Sequence, residues 1–218
     1  YLQVNGAKIR ADEYAHNQCD YSNLFSKSFA LGPQIVAILN ITPDSFSDGG
    51  KYYTIDSAVE HAAHMIKDGA DIIDIGGEST RPGASSVSIE DEIKRVAPVI
   101  KELRKNKELY LSLDTSKPEV MKLGIELGIN MINDVRALQN KGALNIFLKS
   151  QCDICLMLMQ GSPKTMQAKP RYDDVVDEVI SFLKKRINIL LKNGKVMDIV
   201  DAADTLNISA LSTPVKKW

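Results

Sequence analysis

The stretch Leu109-Tyr110-Leu111-Ser112-Leu113-Asp114-Thr115-Ser116-Lys117-Pro118-Glu119 holds a strand, a polar strand end and a helix start in direct succession. Its apolar run at 109–113 is short and dense, as a strand covered on both faces requires. Asp114 closes the run. Ser116 and Glu119 have the spacing of a capping box, with Pro118 where a missing N–H costs nothing, so a helix is predicted to begin there.

The same succession recurs on both sides. Strand-like runs fall at residues 34–39, 70–75, 130–132 and 153–158. Helical spacing follows them: Ile55, Ala58, Val59, Ala62, Met65 and Ile66 share one face, as do Ile89, Ile93, Val96, Ile100 and Leu103, and Val175, Val179, Leu183, Ile187 and Leu190. Ser88 with Asp91 marks another helix start, and a further helix is predicted at 141–149. Alternating strands and helices imply βαβ units with a parallel sheet under helices. A (β/α)8 barrel and a doubly wound sheet both fit that alternation. Polar or glycine-rich segments follow strand after strand, at Asn40, 76–83, Asp114, Asn133-Asp134 and 159–161. Convergence from five successive strand ends favours a TIM barrel over a single crevice.

Composition narrows the function classes. The chain has 218 residues, 25% charged and 44% hydrophobic, with a net charge of -1, which suits one globular domain. A charge near zero argues against a nucleic-acid partner, since phosphate binding needs clustered cations. The basic stretches at 101–107 and Lys184-Lys185-Arg186 read as solvated faces. No apolar run reaches the roughly 20 residues of a membrane span and no signal-peptide pattern opens the chain, so a soluble, cytoplasmic protein is expected. Three cysteines are too few for a disulfide scaffold. Cys152 and Cys155 spell C-x-x-C, but positions three apart on a strand point to opposite faces, so both are expected in the core. His61 and His64 share a helix face without a third ligand nearby, which leaves a metal site there unsupported.

Four segments carry chemistry. Asn40-Ile41-Thr42-Pro43-Asp44-Ser45-Phe46-Ser47-Asp48-Gly49-Gly50 is a long polar loop, a length that is usually functional or disordered. Asn40 offers a neutral amide oxygen, suited to a hard cation that keeps its charge for a phosphate; a turn-forming Asn is the plainer alternative. In Gly76-Gly77-Glu78-Ser79-Thr80-Arg81-Pro82-Gly83 the glycines admit close backbone approach, and the hydroxyl and Arg suit a phosphate or carboxylate; a glycine turn with a surface Arg is the alternative. Asp114 ends the third strand and Asn133 the fourth. A carboxylate beside an amide in a barrel mouth can read a fused heterocycle with amino and ring N–H groups, although each residue alone also suits a helix cap.

Together, in this order, these segments resemble dihydropteroate synthase closely. Residues 40–50, 76–83, 114–118, 132–134, and 156–161 followed by Pro163-Lys164-Thr165-Met166-Gln167 match that family's first five strand-end motifs, so the resemblance covers roughly residues 35–192. It implies a TIM (β/α)8 barrel and condensation of para-aminobenzoate with a dihydropterin methyl diphosphate, giving 7,8-dihydropteroate and diphosphate in folate biosynthesis. It further implies that Asp114 and Asn133 bind the pterin ring, with Met159 lining its pocket, and that Asn40 contacts magnesium on the diphosphate. Thr80 belongs to the substrate-contacting loop, and Arg81, Pro82 and Phe46 come from two mobile loops that complete the para-aminobenzoate site. Asp114 and Arg81 are the expected catalytic residues. A homodimer, sulfonamide sensitivity and, as in some organisms, fusion to a hydroxymethyldihydropterin pyrophosphokinase are also implied.

The chain departs from the family after its fifth helix. The motifs D-P-G-x-G-F-G-K, S-R-K and R-x-H do not occur, and Asp198 and Asp201 lack the spacing to replace the missing aspartate. Leu158 stands where the family commonly has His. The expected organisation is a lead-in at 1–33 whose 2–9 pattern suits a hairpin, five barrel units at 34–192 and an atypical tail at 193–218, an incomplete barrel. A start at Tyr1 is expected of a fragment, a processed product or a domain of a longer polypeptide. The competing reading is a pterin-binding protein without synthase activity, truncated or related to methyltetrahydrofolate-binding domains; the loops at 42–46 and 79–83 would be idle in a methyltransferase.

Overall fold

In the computed structural model, residues 34–42, 54–79, 86–159 and 172–195 are described. They fall into two units, 34–159 and 172–195. The first contains strands β1 (Val36–Asn40), β2 (Ile72–Gly76), β3 (Tyr110–Asp114), β4 (Met131–Asp134) and β5 (Asp153–Leu156), alternating with helices α1 (Ile55–Lys67), α2 (Ile89–Leu103), α3 (Pro118–Glu126) and α4 (Ala143–Leu148). The second contains helix α5 (Val175–Lys192), whose Asp174 side chain caps the N–H groups of Val176 and Asp177.

All four strand pairings are parallel, and the spatial order is β1-β2-β3-β4-β5. A doubly wound sheet reverses its order at a switch point; here each strand joins the side of the previous one, as in a barrel wall. Period-2 alternation sorts the side chains. Leu39, Ile73, Ile75, Leu111, Leu113 and Ile132 are buried on the helix side, with Ala58, Ala62, Val96, Ile100, Val120 and Met121 from the helices. Gly124 of α3 lets that helix settle on β3: a Cβ there would run into Leu113. The opposite face carries Asp74, Gly76, Ser112, Asp114 and Asn133.

Several local readings change. The strands end one to two residues later than the apolar runs at β1 to β4, because the polar terminal residues still pair in the ladder. At β5 pairing stops at Leu156 instead. Ser116 does not cap α3. Lys117 holds the N-cap position without a side-chain bond, because the Ser116 hydroxyl is taken by Asp134 Oδ1 at 2.5 Å. Ser88 does accept from Asp91 N, and Thr54 with Ser57 forms a capping box on α1. Cys152 and Cys155 are half-buried instead of core residues. Ile55, placed by its spacing on the core face of α1, is exposed.

Candidate functional site

The parallel register aligns Asn40, Gly76, Asp114, Asn133 and Cys155 in one row across the C-terminal ends of the five strands. Gly76 is the gap in that row. A Cβ there would lie 3.3 Å from Asn40 Oδ1 and 3.8 Å from Asp114 Oδ2, so glycine keeps open the space between the two side chains. Backbone bonds fix the ends: Ile41 N–H donates to Gly76 O at 2.7 Å, and Thr115 N–H to Asn133 O at 3.1 Å.

One layer deeper sit Asp74 and its register partner Ser112. Asn133 on β4 reaches over β3 and donates its side-chain amide to Asp74 Oδ2 at 2.9 Å. Asp74 is 4% exposed, yet its Oδ1 has no hydrogen-bond partner among the described residues, and neither has the fully buried Ser112 Oγ. Burial raises the Asp74 pKa above the ordinary carboxylate range. Asn133 opposes that rise, and so does the Ser112 hydroxyl, which lies outside hydrogen-bond geometry but near enough to favour the charge. Asp114 is pushed up to about 8, first by burial and then by the negative charges of Asp74, Glu92, Asp134 and Glu78. Burial and the acidic neighbours thus favour the protonated form of Asp114.

A second polar cluster braces the strand ends. Lys117 binds Glu78 Oε2 at 2.9 Å and Glu92 Oε2, while the Thr115 hydroxyl donates to Glu92 Oε1 at 2.6 Å. Glu78 Oε1 accepts from Val87 N–H at 2.9 Å, and Arg95 donates to Gly77 O at 2.8 Å. Burial works against the Lys117 charge, but its bonds to Glu78 and Glu92 outweigh this and raise its pKa. Asp134 turns to the other side of β4. It accepts from Ser116, Arg136 N and Leu138 N and so shapes a turn in which Ala137 and Leu138 have φ of 51° and 58°.

Of the residues singled out in the sequence, Asn40, Asp114 and Asn133 meet in one row. Met159 is half-buried, three residues beyond β5. Phe46, Thr80, Arg81 and Pro82 lie outside the described residues, as does nearly all of the two loops expected to be mobile. Asp74, Ser112, Lys117, Glu78 and Glu92 were not singled out. The signal for Asp74 was present, a lone carboxylate in the apolar run Ile72-Ile73-Asp74-Ile75. Among the described residues no group of three or more His, Cys, Asp or Glu side chains is placed to hold a metal ion, and no helix is long and apolar enough to cross a membrane.

Residues 36–200 match the family described as pterin binding enzyme. The chain is 45% identical over 181 residues to the dihydropteroate synthase of Haemophilus influenzae, a match covering 83% of this chain and 63% of that protein. It is 43% identical over 177 residues to the folic acid synthesis protein fol1 of Schizosaccharomyces pombe, covering 80% of this chain but 24% of that protein. A crystal structure of the Yersinia pestis dihydropteroate synthase with a sulfonamide drug complex superposes with a TM-score of 0.70 at 45% identity, covering 78% of this chain and 61% of that one. The Xanthomonas albilineans dihydropteroate synthase with 4-aminobenzoic acid gives 0.68 at 46% identity, covering 76% and 58%. The chain thus spans less than two thirds of the length of each of these proteins.

Proposed function

The chain belongs to the pterin binding enzyme family, and on that premise we propose that it serves dihydropteroate synthesis, joining para-aminobenzoate to a dihydropterin methyl diphosphate. The observation that carries the reading is the row of Asn40, Asp114 and Asn133 at the strand ends, with the gap at Gly76 between Asn40 and Asp114, a set of polar groups suited to a flat ring with N–H donors. The Haemophilus and Yersinia relatives, named for that synthase, and the Xanthomonas structure with 4-aminobenzoic acid support both substrates.

In the reaction the amine nitrogen attacks the pterin methylene, the C–O bond to diphosphate breaks with its electron pair, and the nitrogen releases a proton. Positive character grows on the methylene and negative charge on the leaving group. Asp114 and Asn133 hold the ring. Ionised by the ring's N–H donors, Asp114 opposes the growing positive charge. Arg81, with Thr80, Pro82 and Phe46, is assigned to the para-aminobenzoate side and Met159 to the ring's edge, as in the family motifs that they match. Asn40, whose neutral amide oxygen borders the open space at Gly76, would hold magnesium there. The ion would supply charge neutralisation on the departing diphosphate.

A soluble cytoplasmic homodimer suits such small polar substrates. A fusion to a pyrophosphokinase domain is supported by the match to a small part of the much longer fol1 protein. The test is diphosphate release by the purified chain from the dihydropterin methyl diphosphate, in the presence and absence of para-aminobenzoate. Release that requires para-aminobenzoate is expected. Pterin binding without release would assign the chain as a pterin-binding protein instead.

A further inference from the structure

Glu78 stands two residues past Gly76 and Lys117 three past Asp114, so their ion pair at 2.9 Å ties one strand end of the site to the next. Further contacts hold the chain as it leaves β2. Gly77 lies so close to α2 that a Cβ would come within 2.8 Å of Val96 Cγ1 and 2.9 Å of Glu92 Cγ. Its carbonyl accepts from the Arg95 guanidinium at 2.8 Å. Glu92, fully buried, receives Lys117 and the Thr115 hydroxyl. Stability alone does not account for this arrangement, because a buried ion pair is often no more stabilising than apolar side chains of the same volume. What it does achieve is geometric. Glu78 uses its second oxygen, Oε1, for Val87 N–H at 2.9 Å, nine residues further on. One carboxylate thus fixes where the chain departs from β2, where it returns toward α2, and how both points lie against the β3 end that carries Asp114.

We propose that Glu78 is a positioning residue for the condensation: its bonds to Val87 N–H and to Lys117 set both ends of the segment between β2 and α2 beside Asp114, so that the residues following Glu78 act on para-aminobenzoate from a fixed base. The proposal rests on the synthase reading above and goes beyond it, to a residue assigned to neither substrate. Thr80 and Arg81, assigned to the para-aminobenzoate side, follow Glu78 by two and three residues. A segment with both ends fixed has fewer arrangements to give up when a substrate binds, so less binding energy is lost to ordering. The effect falls on para-aminobenzoate, because Asp114 and Asn133 stand on a strand ladder in which Glu78 takes no part.

Steady-state kinetics of diphosphate release by the full chain, with each substrate varied in turn, tests this on two variants. Glu78→Ala removes both bonds. Glu78→Gln keeps an acceptor for Val87 N–H and loses the ion pair. Glu78→Ala is expected to raise the KM for para-aminobenzoate at least about tenfold and Glu78→Gln about threefold, as the loss of two bonds or of one implies, with the pterin KM within about twofold of wild type in both. A merely structural role would lower kcat through the folded fraction and leave both KM values alone. A para-aminobenzoate KM unchanged in folded Glu78→Ala overturns the proposal, and so does an equal rise in both KM values. If Glu78→Ala fails to fold, Glu78→Gln decides by whether its para-aminobenzoate KM rises selectively. Wild type that releases no diphosphate in response to para-aminobenzoate overturns the synthase reading and the proposal with it.

Discussion

Lys117 and Glu78 meet at 2.9 Å across 39 residues of sequence, and the same ammonium also binds Glu92, which is 1% exposed. The pair ties the end of β2 to the start of α3, immediately beyond Asp114. Through Val87 N–H, Glu78 also draws together the two ends of the segment between β2 and α2.

Removing the cation should therefore be costly. Lys117→Met leaves Glu92 buried without a counter-charge, a loss of about 3–5 kcal/mol by comparison with broken buried pairs. Glu78→Gln, which keeps an acceptor for Val87 N–H at a more exposed position, should cost about 1 kcal/mol or less. Urea unfolding checks both. A Lys117→Met midpoint equal to that of wild type would show that the cluster contributes nothing.

Stability should fall with rising pH. Asp114 has a folded pKa of about 8 against an ordinary 3.8, so the folded state binds its proton more tightly than the unfolded one. That contribution is complete below about 3.8 and is lost as the pH climbs through about 8. Asp114→Asn removes the titration, so its advantage over wild type should grow across the same window. Thermal midpoints of both proteins measured from mildly acidic to mildly alkaline pH would expose a flat difference if the shift is not real.

Kinetics separate binding by Asp114 from its role in the reaction. Asp114→Asn keeps the size and one acceptor but loses the charge opposing the cationic methylene. In a complete synthase assayed by diphosphate release, kcat should drop at least about 100-fold, roughly 2.7 kcal/mol. A rise in the pterin KM with kcat intact would make the residue a uniform binder.

Gly124→Ala pits two local effects against each other. Alanine favours the helix by up to about 1 kcal/mol, but its Cβ would run into fully buried Leu113, and overpacking costs about 1–3 kcal/mol. A net destabilisation of about 1 kcal/mol is expected from chemical unfolding; a stabilised variant would mean that α3 can lift from β3 freely.

Gly76→Ala should act on the site and spare the fold. Its Cβ would enter the space between Asn40 Oδ1 and Asp114, so pterin affinity should fall at least about tenfold while unfolding changes by less than about 1 kcal/mol. Titration and unfolding on one preparation separate the two.

The alternation of five strands with helices was legible in the order of residues, and so was the place of Asn40, Asp114 and Asn133 at strand ends. These are local facts: a strand repeats every two residues and a helix every 3.6, and both periods survive in the order of apolar side chains. Helix capping was partly legible for the same reason. Ser88 caps its helix as its spacing predicts, whereas the Ser116 hydroxyl is claimed by Asp134, 18 residues away and on another strand. Tertiary structure alone decided what those strand ends do together. The register set Gly76 between Asn40 and Asp114, brought Asn133 over β3 to Asp74, and joined Lys117 to Glu78 and Glu92. A lone Asp in an apolar strand and a Lys before a proline have no partner in one dimension. Their charges become tolerable, and usable, only where folding brings residues 25 to 59 positions apart within hydrogen-bond reach.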